Sequence, residues 1–253
     1  IAGHVMHELG ADVVTIGVQP NGLNINLECG ATHCSTLQKA VLQHHADLGI
    51  ALDGDGDRIM MVDKQGRLYD GDQLLYIIAK HRKQRRLLRG GVVGTLMTNL
   101  AIENRFKKMN IPFLRAKVGD RHVLELLHEK KWYLGGENSG HIVCKDKHTT
   151  GDGIISALQV LYALRDTQKT LAQSMRGVSL YPQRLINVKI SKPFDFSTNE
   201  AIKTMQEAAE ADLNSKGRVL IRASGTEPLI RIMIEGESKH KVNHWAERIA
   251  EAM

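Results

Sequence analysis

The stretch GIALDGDGDRIMMVD, residues 49–63, sets Asp53, Asp55 and Asp57 at alternate positions between two short apolar segments. Carboxylates gathered this closely repel one another, so the loop calls for a counter-charge. Gly54 and Gly56 let the backbone turn several oxygens to one point. A hard divalent cation answers both features, because Mg²⁺ takes oxygen ligands and commonly combines carboxylates with a substrate phosphate oxygen. A calcium EF-hand also begins D-x-D-x-D, but it needs glycine at its sixth position and glutamate at its twelfth. Those positions hold Arg58 and Lys64 here, which excludes it. A solvated acidic turn is the remaining alternative, and such turns seldom separate two apolar strands. Arg58 then reads as a phosphate partner, placed where a charged oxygen would approach the metal.

Upstream, residues 37–48 (LQKAVLQHHADL) repeat apolar side chains at helical spacing. Helix, strand, acidic loop and strand is an α/β arrangement, with the loop at a strand end where such folds bind ligands. Further back, residues 1–17 predict a helix running into a strand. The helix starts on Ile1 with no cap residue before it and no signal-peptide pattern, so the chain is expected to be the C-terminal part of a longer one.

Downstream, KQGR (64–67) predicts a turn and a domain boundary. A second α/β unit follows. GDQLLYIIAKHRKQ predicts a helix capped by Asp72, GGVVGTLMTN a buried strand, LAIENRFKKMN a helix and FLRAKV a short strand. GDRHVLELLHEKK predicts another helix, WYLGGENSGHIV a strand, loop and strand, and GDGIISALQVLYALRD a long amphipathic helix. Strands alternating with helices of this length imply a mainly parallel sheet. Pro182 marks a linker. Beyond it, strand, helix, two strands around SGTEP and a last helix at 239–252 suggest a small α+β domain with an antiparallel pair. The expected fold class is therefore α/β. Two mixed-sheet domains, 1–65 (incomplete) and 66–180, precede an α+β domain at 181–253.

Composition narrows the function. No apolar run approaches the roughly 18 residues of a membrane helix, so no membrane partner is expected. The net charge of +6, from 34 basic and 28 acidic residues, fits an anionic small molecule as well as nucleic acid. The densest basic run, KHRKQRRLLR (80–89), has no interleaved aromatics to stack bases and predicts a solvated helix end. Nucleic acid is therefore not an expected partner. Cys29, Cys34 and Cys144 are too few, and odd in number, for a disulfide framework, and CGATHC has no second half to complete a zinc site. Reduced thiols in a cytoplasmic compartment follow.

Two further loops carry chemistry. In RASGTEP (222–228), Arg222, the hydroxyls of Ser224 and Thr226 and the N–H groups around Gly225 suit a phosphate dianion, with Arg231 adding charge; a plain hairpin turn reads equally from the same residues. GENSGH (136–141) gathers Glu137, Asn138, Ser139 and His141, which are partners for carbohydrate hydroxyls, and His141 is a candidate acid/base group; a polar hairpin loop is the alternative.

In this order and spacing, DGDGDR, GENSGH and RASGTEP together resemble the α-D-phosphohexomutase superfamily over essentially the whole chain. PNGLNIN (20–26), CGATH (29–33), AKVGDR (116–121) and the asparagine of GENSGH are most similar to its phosphoglucosamine mutase branch. The phosphomannomutase/phosphoglucomutase branch more often has methionine at that asparagine. The resemblance implies four domains around a cleft, the first with a phosphorylated serine in a S-A-S-H-N-P-like loop that has no counterpart in these 253 residues. It also implies that Asp53, Asp55 and Asp57 hold Mg²⁺, while Arg58 steadies the transferring phosphoryl group. Glu137 and Ser139 would bind the sugar, and His141 would be an acid/base candidate. Lys117, as a further catalytic candidate, and Asp120 and Arg121, as substrate-binding residues, would face the cleft, and Arg222, Ser224, Gly225, Thr226 and Arg231 would hold the phosphate that is not reacting. The implied activity interconverts glucosamine 6-phosphate and glucosamine 1-phosphate through glucosamine 1,6-bisphosphate, toward UDP-N-acetylglucosamine and cell wall. The implied partner is a phosphosugar; a homodimer is a candidate assembly that the sequence leaves open. These residues alone are expected to lack turnover; a phosphomannomutase/phosphoglucomutase, or a fragment that only binds phosphosugar and Mg²⁺, are the alternatives.

Overall fold

The computed structural model describes residues 1–189, 199–223 and 228–253. They form two compact units, one of residues 1–98 and 102–178, the other of residues 99–101 and 179–253.

In the first unit, α1 (Ala2–Glu8) and α2 (Ser35–Gln43) precede a three-stranded antiparallel sheet of β1 (Leu48–Leu52), β2 (Ile59–Asp63) and β3 (Leu68–Tyr69). The register pairs Leu52 with Ile59, so residues 53–58 are the loop of a β-hairpin. KQGR closes the next hairpin, with Gly66 N–H donating to Asp63 O at 2.8 Å. The strand expected before residue 17 does not form. No described strand pairs with 11–16, and Val14, Ile16 and Val18 stay exposed; β propensity without a ladder partner is not enough to make a strand.

The parallel sheet follows in the order β5-β4-β6-β7. It is built from β4 (Val92–Thr95), β5 (Phe113–Ala116), β6 (Leu134–Gly136) and β7 (Ile142–Cys144). β4 pairs parallel with both neighbours and only β7 runs antiparallel at its edge, as the alternation of strands and helices implies. Connections are made by α4 (Leu100–Lys108) and α5 (Asp120–Glu129), while α3 (Gly71–Gln84) enters the sheet and α6 (Gly153–Thr167) leaves it. Val123 and Leu127 of α5 pack on Val93, Ala116 and Val143, with Trp132 over the edge. A short helix α7 (Leu171–Ser174) ends the unit.

Two expectations need correction. The cap of α3 is Asp70 and not Asp72: Asp70 accepts Gln73 N–H while the Gln73 amide oxygen accepts Asp70 N–H, a complete capping box. Asp72 lies in the first turn and is 1% exposed. The basic run is not all solvated, because its first part turns into the seam between α3 and α6. His81 sits 2.8 Å from Asp166, and Arg82, 6% exposed, donates to Asp146 and Gln159 at 2.9 Å each. Those acids lie far along the chain, so periodicity alone could not reveal them.

In the second unit, β10 (Leu229–Gly236) is the middle strand between β8 (Gln183–Lys189) and β9 (Gly217–Ala223), antiparallel to both. Ile230, Ile232 and Ile234 point to one face and bury against Leu213 of α8 (Glu200–Leu213) and Val242, Ala246 and Ile249 of α9 (Lys239–Glu251). This is the expected α+β pattern. No helix of the described residues is long and apolar enough to cross a membrane. All three cysteines are unpaired, and burial pushes the Cys144 thiol up to about 11, which keeps it protonated and inert.

Candidate active site

The acidic loop folds on itself before it meets anything else. Gly56 N–H donates to Asp53 O at 3.2 Å, and Arg58 N–H donates to Asp53 Oδ1 at 3.0 Å. These bonds turn the alternating aspartates inward, and one carboxylate oxygen from each of Asp53, Asp55 and Asp57 lies within 4.8 Å of the others. The Arg58 Nε supplies positive charge at 3.5 Å from Asp53 Oδ2 and 3.7 Å from Asp57 Oδ1. Asp53 is 5% exposed at its side chain, Asp55 is exposed, and Asp57 Oδ1 is buried with no hydrogen-bond partner. An all-oxygen, triply anionic donor set with one buried oxygen that accepts no hydrogen bond fits a hard divalent cation such as Mg²⁺.

The GENSGH loop is joined directly to this cluster. Arg58 and His141 form an isolated antiparallel bridge, and Ile59 N–H donates to Gly140 O at 3.0 Å. Gly140 has φ +98° and a Cβ there would run into the Ile59 carbonyl, so the strand end and the loop can meet this closely only at a glycine. Gly140 N–H returns to Glu137 O at 3.0 Å, and Gly71 N–H at the start of α3 donates to Asn138 O at 3.1 Å. Helix α6 supports the acidic loop from below: Asp152 caps it at Ile155 N–H, 2.8 Å, and Gly153 N–H donates to Gly56 O at 2.8 Å. Acidic loop, sugar-loop candidate and two helix starts thus make one hydrogen-bonded block within the first unit.

Side chains complete the joint. His141 Nδ1 lies 3.0 Å from Asp57 Oδ2. Glu137 is 8% exposed and its Oε1 accepts Gly119 N–H at 2.9 Å, which ties the AKVGDR segment to GENSGH. Ser139 is half-buried beside it. Lys117, Asp120 and Arg121 are exposed at the start of α5, and Arg121 turns along its helix to Glu125 at 2.8 Å. Of these three, no described contact brings one to the aspartates.

Arg222 and Arg231 lie in the second unit, where they are register partners across β9 and β10. Directly opposed residues of an antiparallel pair share a face, so the two arginines project from the same side of this sheet. Ser224, Gly225 and Thr226 lie outside the described residues.

Gly151 and Gly153 were not singled out by the sequence as site residues, although both shape the loop's surroundings. Gly153 touches the acidic loop and Gly151 backs the His141 ring. The GDG at 151–153, which opens α6, was the available signal, since it repeats the small-and-acidic pattern of the acidic loop, but it reads equally as a helix start.

Sequence models of the phosphoglucomutase/phosphomannomutase family match in succession. Alpha/beta/alpha domain II matches residues 1–66, alpha/beta/alpha domain III residues 70–181 and the C-terminal domain residues 185–252. A relative from Nitrosospira multiformis named phosphoglucosamine mutase is 68% identical over 253 residues, covering 100% of this chain and 55% of that protein. The chain thus spans about half the length of such relatives. The solved N-acetylphosphoglucosamine mutase of Aspergillus fumigatus, in complex with GlcNAc-6P and magnesium, is similar with TM-score 0.78 at 24% identity, over 99% of this chain and 63% of that one. A variant of N-acetylphosphoglucosamine mutase from the same organism, in complex with glucose 1,6-bisphosphate, gives TM-score 0.70 at 22% identity, over 100% and 58%. At these identities the likeness is one of fold.

Proposed function

The chain belongs to the phosphoglucomutase/phosphomannomutase family, and from that premise we propose that, within a protein of its relatives' full length, it interconverts glucosamine 6-phosphate and glucosamine 1-phosphate. The observation that carries this reading is the hydrogen-bonded joining of the three-aspartate loop to GENSGH. It puts a cation-binding cluster beside groups suited to sugar hydroxyls. The glucosamine ring, as against mannose or glucose, is supported by the name of the 68% identical relative.

Asp53, Asp55 and Asp57 hold Mg²⁺, which when bound offsets charge on the transferring phosphoryl group. Arg58, with its side chain 45% exposed, keeps guanidinium N–H groups available to a phosphoryl oxygen. Phosphoryl transfer depends mainly on positioning and charge stabilisation, which is what carboxylate loop and arginine provide. Glu137 retains a second oxygen, beyond the one that Gly119 occupies, for a sugar hydroxyl, with Ser139 as its neighbour. Lys117, Asp120 and Arg121 present charge at the head of α5 to the polar substrate. Arg222 and Arg231, with Ser224, Gly225 and Thr226, bind the phosphate that stays in place.

A phosphate can move between C6 and C1 when a phosphoserine gives its phosphoryl group to the free hydroxyl, making glucosamine 1,6-bisphosphate. The sugar then presents its other end, and that phosphate returns to the serine. The serine is proposed to come from sequence beyond these 253 residues, and the reducing cytoplasm suits the three unpaired thiols.

The test is an assay of the full-length protein with glucosamine, glucose and mannose 6-phosphates under saturating Mg²⁺. A kcat/KM at least tenfold higher for glucosamine 6-phosphate is expected. A preference for mannose phosphate would overturn the substrate, and absence of turnover on all three would overturn the activity.

A further inference from the structure

We propose that Asp120 selects the amino sugar: its carboxylate pairs with the ammonium group at C2 of glucosamine phosphate, where glucose and mannose phosphates carry a neutral hydroxyl. The proposal rests on the glucosamine reading of the site. Groups that bind phosphate, such as Mg²⁺, Arg58 and Lys117, repel that ammonium. Selecting it over a hydroxyl therefore calls for a carboxylate not already engaged by the metal. The segments that leave β5 and β6 offer two, Asp120 and Glu137.

β5 and β6 flank β4 and run parallel to it, so AKVGDR and GENSGH leave the sheet at one edge, the carboxyl end at which α/β sheets bind ligands. Two strand spacings, about 10 Å, separate the two strands. Glu137 crosses that gap, its Oε1 accepting Gly119 N–H at 2.9 Å. Gly119 has φ +122°, a conformation that an L side chain rarely adopts. It lets this N–H meet the sugar-loop candidate while the next residue, Asp120, already begins α5. Asp120 is thus held by backbone one residue away from the tie between the two segments.

The two carboxylates differ in what already engages them. Glu137 is 8% exposed and one of its oxygens is taken by Gly119. Asp120 is exposed, and among the described residues no hydrogen bond or ion pair engages its side chain. The cations that follow it in α5 do not neutralise it, because Arg121 and His122 both turn to Glu125, at 2.8 and 3.2 Å. A carboxylate–ammonium hydrogen bond is roughly twice as strong as one between neutral groups. Replacing the ammonium by a hydroxyl weakens this one contact and leaves those to the phosphate and the other hydroxyls. Asp120 also lies in the first turn of α5, where negative charge favours the helix, and that contribution has to be read apart from substrate choice.

The experiment measures kcat/KM of the full-length protein at pH 7 and saturating Mg²⁺, for glucosamine 6-phosphate and glucose 6-phosphate on the same samples. The ratio of the two values does not depend on how much of a variant is folded. Asp120→Asn keeps the shape and removes the charge. It is expected to lower kcat/KM for glucosamine 6-phosphate about 10–100-fold, chiefly through KM, and that for glucose 6-phosphate far less. Asp120→Glu restores the charge and is expected to recover part of the preference. An unchanged ratio in Asp120→Asn, whether both substrates lose equally or neither loses, would overturn the proposal and leave Asp120 as a helix-start residue. A ratio narrowed more by Glu137→Gln than by Asp120→Asn would overturn it in favour of Glu137. A wild-type protein with no preference for glucosamine 6-phosphate over glucose 6-phosphate would overturn the glucosamine reading instead.

Discussion

Asp53, Asp55 and Asp57 differ in what else they do, and this decides what each substitution reports. Asp53 also closes the loop through Arg58 N–H, and Asp57 is held by His141, so changing either disturbs structure together with charge. Asp55 is exposed and no hydrogen bond involving its side chain is among those described. Asp55→Asn is therefore expected to change stability by no more than about 0.5 kcal/mol. Mg²⁺ affinity should fall tenfold or more, about 1.4 kcal/mol. Calorimetric Mg²⁺ titration alongside a thermal melt separates the two; unchanged affinity would remove Asp55 from the ligand set. At this scale the sequence was most informative for local chemistry. Three aspartates alternating with glycine predicted a clustered carboxylate loop from spacing alone, and their oxygens do converge. That Glu137 anchors Gly119, and that His141 is engaged by Asp57, depend on contacts 18 and 84 residues apart, which no local pattern encodes.

At the scale of elements, Asp63 holds the end of β2 to the turn and to β3. Its carboxylate accepts Gln65 N–H and Arg67 N–H at 3.0 Å, Arg67 Nε–H at 2.9 Å and the Tyr69 hydroxyl at 3.0 Å. Burial pushes its pKa up, but these bonds together outweigh burial and hold it below the ordinary carboxylate value. A depressed carboxyl contributes stability that is fully present above its unfolded pKa of about 3.9 and is lost as pH falls from there through the folded pKa. Asp63→Asn is expected to lower stability by about 1.5–3 kcal/mol at pH 7, the range for hydrogen bonds to a charged group. It should also lower Tm less steeply than wild type below about pH 4. Parallel acid-limb Tm curves in the two proteins would contradict the role given to Asp63. Elements were legible where pattern and partner agree. β10 spans LIRIMIEG at 229–236 as read, because a middle strand with a buried face needs sustained apolar residues. The segment at 11–16 carries similar residues without a ladder and is no strand. The α3 cap was misplaced by two residues although D-x-x-Q at 70–73 matches a capping box, because Asp72 lies beside the helical run and competes for the same reading.

For the whole molecule, three successive family domains match, and the carboxylate loop, the sugar-loop candidate and the facing arginines Arg222 and Arg231 fall one group in each. The order was readable because each loop carries residue types that few other tasks require together. The side-chain networks that join the first two loops were not, since they arise only when β2, β7, α3 and α6 are packed. The central claim is that turnover depends on a cation held by Asp53, Asp55 and Asp57, and chelation tests it most directly. The full-length protein would be stripped with EDTA, dialysed and assayed for conversion of glucosamine 6-phosphate to glucosamine 1-phosphate before and after Mg²⁺ is restored. The account predicts that activity falls to background on stripping and returns with Mg²⁺; an unchanged rate in protein shown by elemental analysis to be metal-free would contradict it.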